Sequence, residues 1–270
     1  MAEKLFLFDL DGTALGGYEP YAQFPQHFCE FLDRIHNEGW DWGINSAWDM
    51  PGQWDLAGKS PVKSRPSVLI VSFGRGIYDC RSGEPVAVEP YCREMEKRLE
   101  IYEQEILIPA LQPVLDEGKH RDVIRRRHNY SVEYDPEEID TATYIHESPA
   151  WQSMIKSGNF EVMPLPGAVR VRSTFCTKAA PMHLLEPVFG YKPEHVVTAG
   201  DGTPDIHLVS SPYAKYAVTP ANGDQMLKDY VSIHGGAIGK QDYAAGITEA
   251  FETLRNEKKS EQEKRYAECN

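Results

Sequence analysis

The apolar residues of this chain fall into two textures. In the first, short apolar runs end abruptly in small or acidic residues: Leu5-Phe6-Leu7-Phe8, Ser67 to Ser72, His195 to Gly200 and Tyr216-Ala217-Val218, with Trp40 to Asn45 a candidate second strand. Runs without polar alternation fit strands buried on both faces, as parallel sheets require. Helical stripes separate some of them. Phe24, Phe28, Phe31, Leu32 and Ile35 recur at i, i+4, i+7, i+8 and i+11 and stop at Gly39, while Ile247, Ala250, Phe251 and Leu254 mark a closing helix. Lys178 falls near the start of a further helix running to about Phe189, with Pro181 in its first turn. The pattern predicts an α/β fold, a doubly wound and mainly parallel Rossmann-like sheet.

From about Ser82 the texture changes. Tyr91 to Gly118 is charged and helical, with Met95, Leu99, Tyr102, Ile106 and Leu111 on one stripe that Pro109 and Pro113 kink or interrupt. Tyr130, Val132 and Tyr134 alternate with polar neighbours, as do Phe160 to Met163 and Val169 to Arg172, which fits a sheet with one wet face. Asp135-Pro136-Glu137-Glu138 reads as a helix start. Residues 82–172 are therefore expected to form an inserted α+β domain, with 1–81 and 173–270 as the discontinuous core. Beyond Arg255 the charge-mixed tail reads as a frayed helix or disorder.

Composition narrows the function classes. Lys plus Arg number 28 against 41 Asp plus Glu, a formal charge of −13, which argues against nucleic acid or an acidic membrane surface as partner. No apolar run is long enough to span a bilayer, and the N-terminus enters its first strand without a signal-peptide pattern. Five scattered cysteines without a Cys-x-x-Cys pair fit neither structural zinc nor a disulfide framework, so a reduced, cytoplasmic setting is expected.

The chemistry sits at the strand ends. Asp9 and Asp11 close the first strand two residues apart, followed by Gly12; in an extended backbone both would point the same way. Alone, this reads equally as a surface turn or as a site. Ser46 follows the second strand, where a lone serine is more often a helix cap or turn residue. The fourth run leads into Gly200-Asp201-Gly202-Thr203-Pro204-Asp205, with Thr203 as helix cap and Asp205 in the first turn. In a doubly wound sheet these ends lie along one edge. Four carboxylates there, with Lys178 and a hydroxyl, suit Mg²⁺ and a phosphate group.

With those residues assembled, the chain resembles the haloacid-dehalogenase superfamily of Mg²⁺-dependent phosphatases, in particular Cof-like members with a large α/β (C2-type) cap. Asp9-Leu10-Asp11-Gly12-Thr13 is similar to its first motif D-x-D-G-T, Ser46 to its second-motif hydroxyl, Lys178 to its lysine, and Gly200-Asp201 through Asp205 to its acidic fourth motif. The resemblance implies that Asp9 attacks phosphorus to give an aspartyl-phosphate and that Asp11 is the general acid/base. It implies that Mg²⁺ is held by Asp9, the Asp11 backbone carbonyl, Asp201 and Asp205, that Lys178 neutralises charge and that Ser46 binds a phosphoryl oxygen. The expected partner is a small phosphomonoester. The alternatives are a phosphosugar mutase or a non-catalytic phosphate-binding protein.

The chain departs from the family pattern in three places. The usual T-G-R is here Ser46-Ala47-Trp48, the fourth motif's usual Asn-Asp is Pro204-Asp205, and Phe73-Gly74-Arg75 replaces Asn-Gly-Ala. Arg75 is a candidate substrate contact or a solvated arginine. Arg125-Arg126-Arg127-His128 in the insertion is a substrate-facing surface, with Arg127 its candidate contact, or a face answering neighbouring acids. The stretch from Phe160 to Lys178 is similar to capped relatives acting on sugar phosphates, including the trehalose- and sucrose-phosphate phosphatases.

Overall fold

The computed structural model describes residues 3–16, 23–126 and 128–268. The chain divides into two compact units, Met1–Tyr91 with Thr177–Asn270, and Cys92–Cys176.

The first unit opens with β1 (Lys4–Phe8), α1 (Gln26–Asn37), β2 (Trp40–Asn45), α2 (Met50–Lys59), β3 (Val68–Val71), β4 (Gly76–Asp79) and β5 (Val86–Ala87). Alternate strand residues reach opposite faces. Accordingly Phe6 and Phe8 join one buried cluster and Leu5 and Leu7 another, and Leu69 and Val71 divide from Val68 and Ile70 in the same way. The first cluster is aromatic. Phe8 lies 5.2 Å from Phe28 between ring centroids and Phe6 lies 4.7 Å from Phe251. Phe28, Phe31, Leu32 and Ile35 of α1 are buried, with Phe24 buried just ahead of the helix.

Strands β4 and β5 were not anticipated. After β3 the chain turns through Ser72, Phe73 and Gly74, at φ 51°, 60° and 89°, and returns antiparallel as β4. Two non-glycine residues in the left-handed region leave no trace in hydrophobic periodicity. Because β5 pairs with β4, this hairpin extends the core sheet, and the compact inserted unit starts at Cys92 rather than near Ser82.

The next elements are α3 (Glu89–Tyr102), a π turn (Glu103–Leu107), α4 (Ile108–Asp116), β6 (Asp122–Arg126), β7 (Asn129–Glu133), α5 (Thr141–Glu147), α6 (Pro149–Ser157), β8 (Phe160–Leu165) and β9 (Ala168–Ser173). In the predicted stripe Ile106 is 38 % exposed and Leu107 is buried in its place. The Ile108 N–H bonds back to the Glu103 carbonyl, which adds one residue to the turn and advances the phase. Pro109 has no N–H for the Glu105 carbonyl, so the α-pattern cannot run straight through. The four strands pair antiparallel in the order β6-β7-β9-β8. Val132, Phe160, Val169 and Val171 pack with Leu111, Tyr144, Trp151 and Met154 in one cluster. Asp135 does not start a helix. Its carboxylate accepts the Glu137 N–H in a single turn, and α5 begins later, capped by Asp140.

The chain returns through β10 (Val196–Ala199), α7 (Ile206–Val209), β11 (Tyr216–Thr219), α8 (Gln225–Ile233), β12 (Ala237–Ile238) and α9 (Tyr243–Glu268). No α-helix runs from Lys178 to Phe189. Lys178 stands in a turn followed by a 3₁₀ segment, Ala180–Leu184. Pro181 and Pro187 withhold the N–H groups that the Thr177 and His183 carbonyls would need. The backbone of α9 stays helical to Glu268, past the point where fraying was expected. Its Ile247, Ala250, Phe251 and Leu254 are buried as predicted.

The core sheet has the order β12-β11-β10-β1-β2-β3-β4-β5, parallel from β12 to β3. Connections leave β1 toward β2 and β3 on one side and run from β10 toward β11 and β12 on the other. The order therefore reverses between β1 and β10, and the carboxyl ends of strands at such a switch point are where open α/β sheets bind ligands. Among the described residues no helix is long and apolar enough to cross a membrane.

Candidate active site

Phe8 stands opposite Ala199 on β10 and Ile44 on β2, so Asp9, Gly200 and Asn45 follow at one level on three adjacent strands. The Asp9 N–H continues the ladder, bonding the Ala199 carbonyl at 3.0 Å. The extended backbone then stops, because the Leu10 carbonyl accepts the N–H groups of Thr13, Ala14 and Leu15. Asp9 and Asp11 therefore do not share one extended face. Asp9 is buried, whereas Asp11 is exposed and accepts the Trp48 indole N–H at 2.8 Å.

Gly12 makes the turn possible. Its φ is +81°, and a Cβ there would collide with the Asp201 carboxylate. Thr13 Oγ1 donates to Asp201 Oδ1 at 2.7 Å and lies 3.5 Å from Asp9 Oδ2, so the first motif is tied to the fourth. After β10, the Asp205 Oδ2 accepts the N–H groups of Asp201 and Gly202 at 3.1 and 3.2 Å. Gly202, not Thr203, stands at the cap of the short 3₁₀ turn Thr203–Asp205, and Asp224 receives the Thr203 N–H at 2.8 Å.

Lys178 completes the cluster. Its buried Nζ donates to Asp9 Oδ1 at 2.6 Å and also to Asp205 Oδ1. Since it heads no helix, its backbone is held otherwise: the Asn45 side-chain amide donates to its carbonyl at 2.8 Å. Burial and the Asp205 charge push Asp9 up to about 8, against the pull of Lys178. Burial also raises Asp201 to about 6, Thr13 opposing it. Burial works against the Lys178 charge, but Asp9 and Asp205 outweigh it and hold its pKa above the ordinary lysine value.

Asp9, Asp201 and Asp205 each offer a carboxylate oxygen within 4.8 Å of the others. Three ionised carboxylates around one ammonium leave two negative charges uncompensated, the charge of one divalent cation. An all-oxygen donor set, in which burial and neighbouring carboxylates raise Asp9 and Asp201, fits a hard ion such as Mg²⁺.

Among the described residues, Asp9, Lys178, Asp201 and Asp205 come together as one group, and the Asp11 carboxylate stands outside it. Ser46 is buried one residue past β2, its Oγ accepting the Trp48 N–H at 3.3 Å. It caps no helix, since Asp49 caps α2. Arg75 is half-buried where the Ser72–Gly74 turn leads into β4. Arg127 lies outside the described residues. Its neighbours Arg125 and His128 both bond Glu103, Arg125 as a bidentate pair at 2.5 and 2.8 Å and His128 at 2.7 Å. Sequence reasoning missed Asn45, Trp48 and Asn222, whose side-chain amide holds the Gly12 carbonyl at 2.8 Å. These contacts join segments distant in the chain, and only Trp48 left a signal, as the residue standing where the resemblance puts an arginine.

No protein-family model and no curated protein sequence matches the chain. Solved structures do. The sucrose-phosphatase from Synechocystis, solved in complex with sucrose and phosphate, is 18 % identical, with a TM-score of 0.66 over 94 % of this chain and 99 % of that one. A haloacid dehalogenase-like hydrolase protein from Bacillus subtilis is 12 % identical, with a TM-score of 0.59 over 94 % and 92 %. Another such hydrolase, from Bacteroides thetaiotaomicron, is 18 % identical, with a TM-score of 0.54 over 84 % and 92 %. The chain thus has the α/β fold of the haloacid dehalogenase-like hydrolases across nearly its whole length.

Proposed function

We propose that the protein is a Mg²⁺-dependent phosphatase that hydrolyses a small phosphomonoester through an aspartyl-phosphate. The observation that carries this reading is the group of Asp9, Asp201 and Asp205 around Lys178, Asp9 and Asp205 buried and Asp201 half-buried, at the switch point of the sheet. Its fold-mates, a sucrose-phosphatase among them, support the same chemistry.

In this reading Asp9, Asp201 and Asp205 hold Mg²⁺, with the Asp11 backbone carbonyl as a further oxygen. The ion, when bound, supplies the charge that lets a carboxylate approach an anionic phosphate. An Asp9 carboxylate oxygen attacks phosphorus; the new O–P bond forms as the bond to the ester oxygen breaks, and Asp11 delivers a proton to that departing oxygen. The free alcohol leaves. Water then attacks the phosphorus, Asp11 takes its proton, and the O–P bond to Asp9 breaks, releasing inorganic phosphate and restoring both acids. Lys178 offsets the charge that builds during each displacement, and the Ser46 hydroxyl holds a phosphoryl oxygen. The substrate class favoured is a sugar phosphate, and Arg75 is the candidate contact within the core unit.

The test is a panel of phosphomonoesters assayed with Mg²⁺ and with chelator, on the wild type and on Asp9→Asn. Mg²⁺-dependent release of phosphate that disappears in Asp9→Asn is expected. Full activity of that variant would sink the covalent mechanism, because an amide is a very poor nucleophile.

A further inference from the structure

Asp11 has two tasks in the reading above, and its surroundings give it little guidance. It is exposed, it follows the turn at Leu10, and among the described residues the side-chain donor on its carboxylate is the Trp48 indole, 2.8 Å from Oδ2. An indole N–H donates and cannot accept. It therefore bonds Oδ2 whether or not Asp11 carries a proton, and it leaves Oδ1 as the oxygen that the proton occupies.

Trp48 is well fixed for that purpose. Its carbonyl accepts the Ser72 N–H at 2.9 Å and the Gln53 amide at 3.0 Å, and the same Gln53 nitrogen reaches the Ile70 carbonyl at 3.0 Å. Its ring packs against the aromatic core cluster and over Gly52 at the start of α2, the ring carbon lying 3.5 Å from where a Cβ would be. Its backbone N–H donates to Ser46 Oγ at 3.3 Å, so the Ser46 hydroxyl hydrogen stays available to an incoming acceptor. One residue thus touches both the carboxylate proposed to move the proton and the hydroxyl proposed to hold the phosphoryl group.

We infer that Trp48 is a positioning residue that directs Asp11 Oδ1 at the ester oxygen and keeps one oxygen in use through both proton transfers. The inference rests on the phosphatase reading. Its consequence is selective. An alkyl leaving group needs its proton in the transition state, whereas 4-nitrophenolate leaves without one. Trp48→Phe, which keeps a ring and removes the donor, should lower kcat for glycerol phosphate by about tenfold or more and kcat for 4-nitrophenyl phosphate by less than about threefold. In an Asp11→Asn background the same change should add nothing, since residues acting through one another are non-additive. If Trp48→Phe does not fold, replacement of the Trp48 indole by its benzothiophene isostere removes the N–H at constant shape.

A readout free of substrate and metal accompanies the kinetics. The indole ¹H–¹⁵N resonance that disappears in Trp48→Phe should move in Asp11→Ala. Equal losses on both esters, full additivity with Asp11→Asn, or an unmoved indole resonance would each overturn the role given to Trp48. If the wild type releases phosphate from no ester with Mg²⁺, the phosphatase reading itself falls and takes this inference with it; full activity of Asp9→Asn would remove the covalent step alone.

Discussion

Lys178→Met tests the charge balance of the site. Methionine keeps most of the side chain's length and removes the one ammonium between Asp9 and Asp205. Lys178 is 3 % exposed, so water does not make good the loss. Removing one partner of a buried ion pair costs roughly 3–5 kcal/mol, because the other is left buried and uncompensated. Against a domain stability of about 5–15 kcal/mol this is a large fraction. With a urea slope of about 2–3 kcal/mol per molar, the unfolding midpoint should drop by about 1–2 M. The assay is urea unfolding with chelator at pH 8, followed by tryptophan fluorescence, which reports mainly the core unit through Trp40, Trp42, Trp48 and Trp54. Burial and Asp205 already raise Asp9 to about 8 against the pull of Lys178, and loss of the ammonium raises it further. Protonation at pH 5.5 then removes the buried charge, so the deficit should narrow there. Adding Asp205→Asn should recover part of it at pH 8. A midpoint within about 0.3 M of the wild type at pH 8, less than ~1 kcal/mol on that slope, would refute the reasoning. So would a deficit that does not change with pH.

Three further outcomes follow from the same geometry. Asp9 and Asp201, at about 8 and about 6, are both raised above the usual 3.8, so the folded metal-free protein binds more protons than the unfolded chain between about pH 4 and pH 8. These two groups make its stability fall as pH rises through that window. Thermal unfolding should show the gain from added Mg²⁺ widening from pH 5.5 to pH 8.5, and a constant gain would contradict this. Gly12→Ala combines a positive φ, worth about 1–2 kcal/mol, with a collision against the Asp201 carboxylate. Calorimetric titration should find Mg²⁺ binding weakened by about 10–100-fold, and unaltered affinity would exclude Asp201 as a ligand. Glu103→Gln in the inserted unit leaves Arg125, His128 and Tyr130 without the carboxylate they share. Arg125 is more than half exposed, so the expected cost is held to about 1–3 kcal/mol. It should appear as faster amide exchange along β6 and β7, and unchanged exchange would make the network dispensable.

What the sequence revealed and what it hid divide along a physical line. The doubly buried strands were legible because burial on both faces leaves an apolar run, unbroken in Leu5–Phe8 of β1 and in β3, nearly so in β10 and β11, and interrupted by Asp41 in β2. The candidate residues Asp9, Ser46 and Asp201 were legible because each follows the end of such a strand within two residues, and parallel strands deliver their carboxyl ends to one edge. The short edge strands β5 and β12, two residues each, are too brief for any period to register. The 3₁₀ segment after Lys178 was misread as α-helix because Pro181 was placed in a first turn, where a missing N–H costs nothing, and Pro187 interrupts the pattern again. The π turn at Glu103–Leu107 likewise moved one position of a stripe that was otherwise correct. The deepest gap concerns side-chain contacts between segments distant in the chain. Asn45 holds Lys178 across 133 residues and Asn222 holds Gly12 across 210, and neither pairing has a spacing that a reader of one chain could test. Trp48 belongs with them, 37 residues from Asp11. In the sequence it was a departure from a family motif. In the structure it is a donor on the exposed acid, and the geometry of that acid depends on the residue where the family pattern failed.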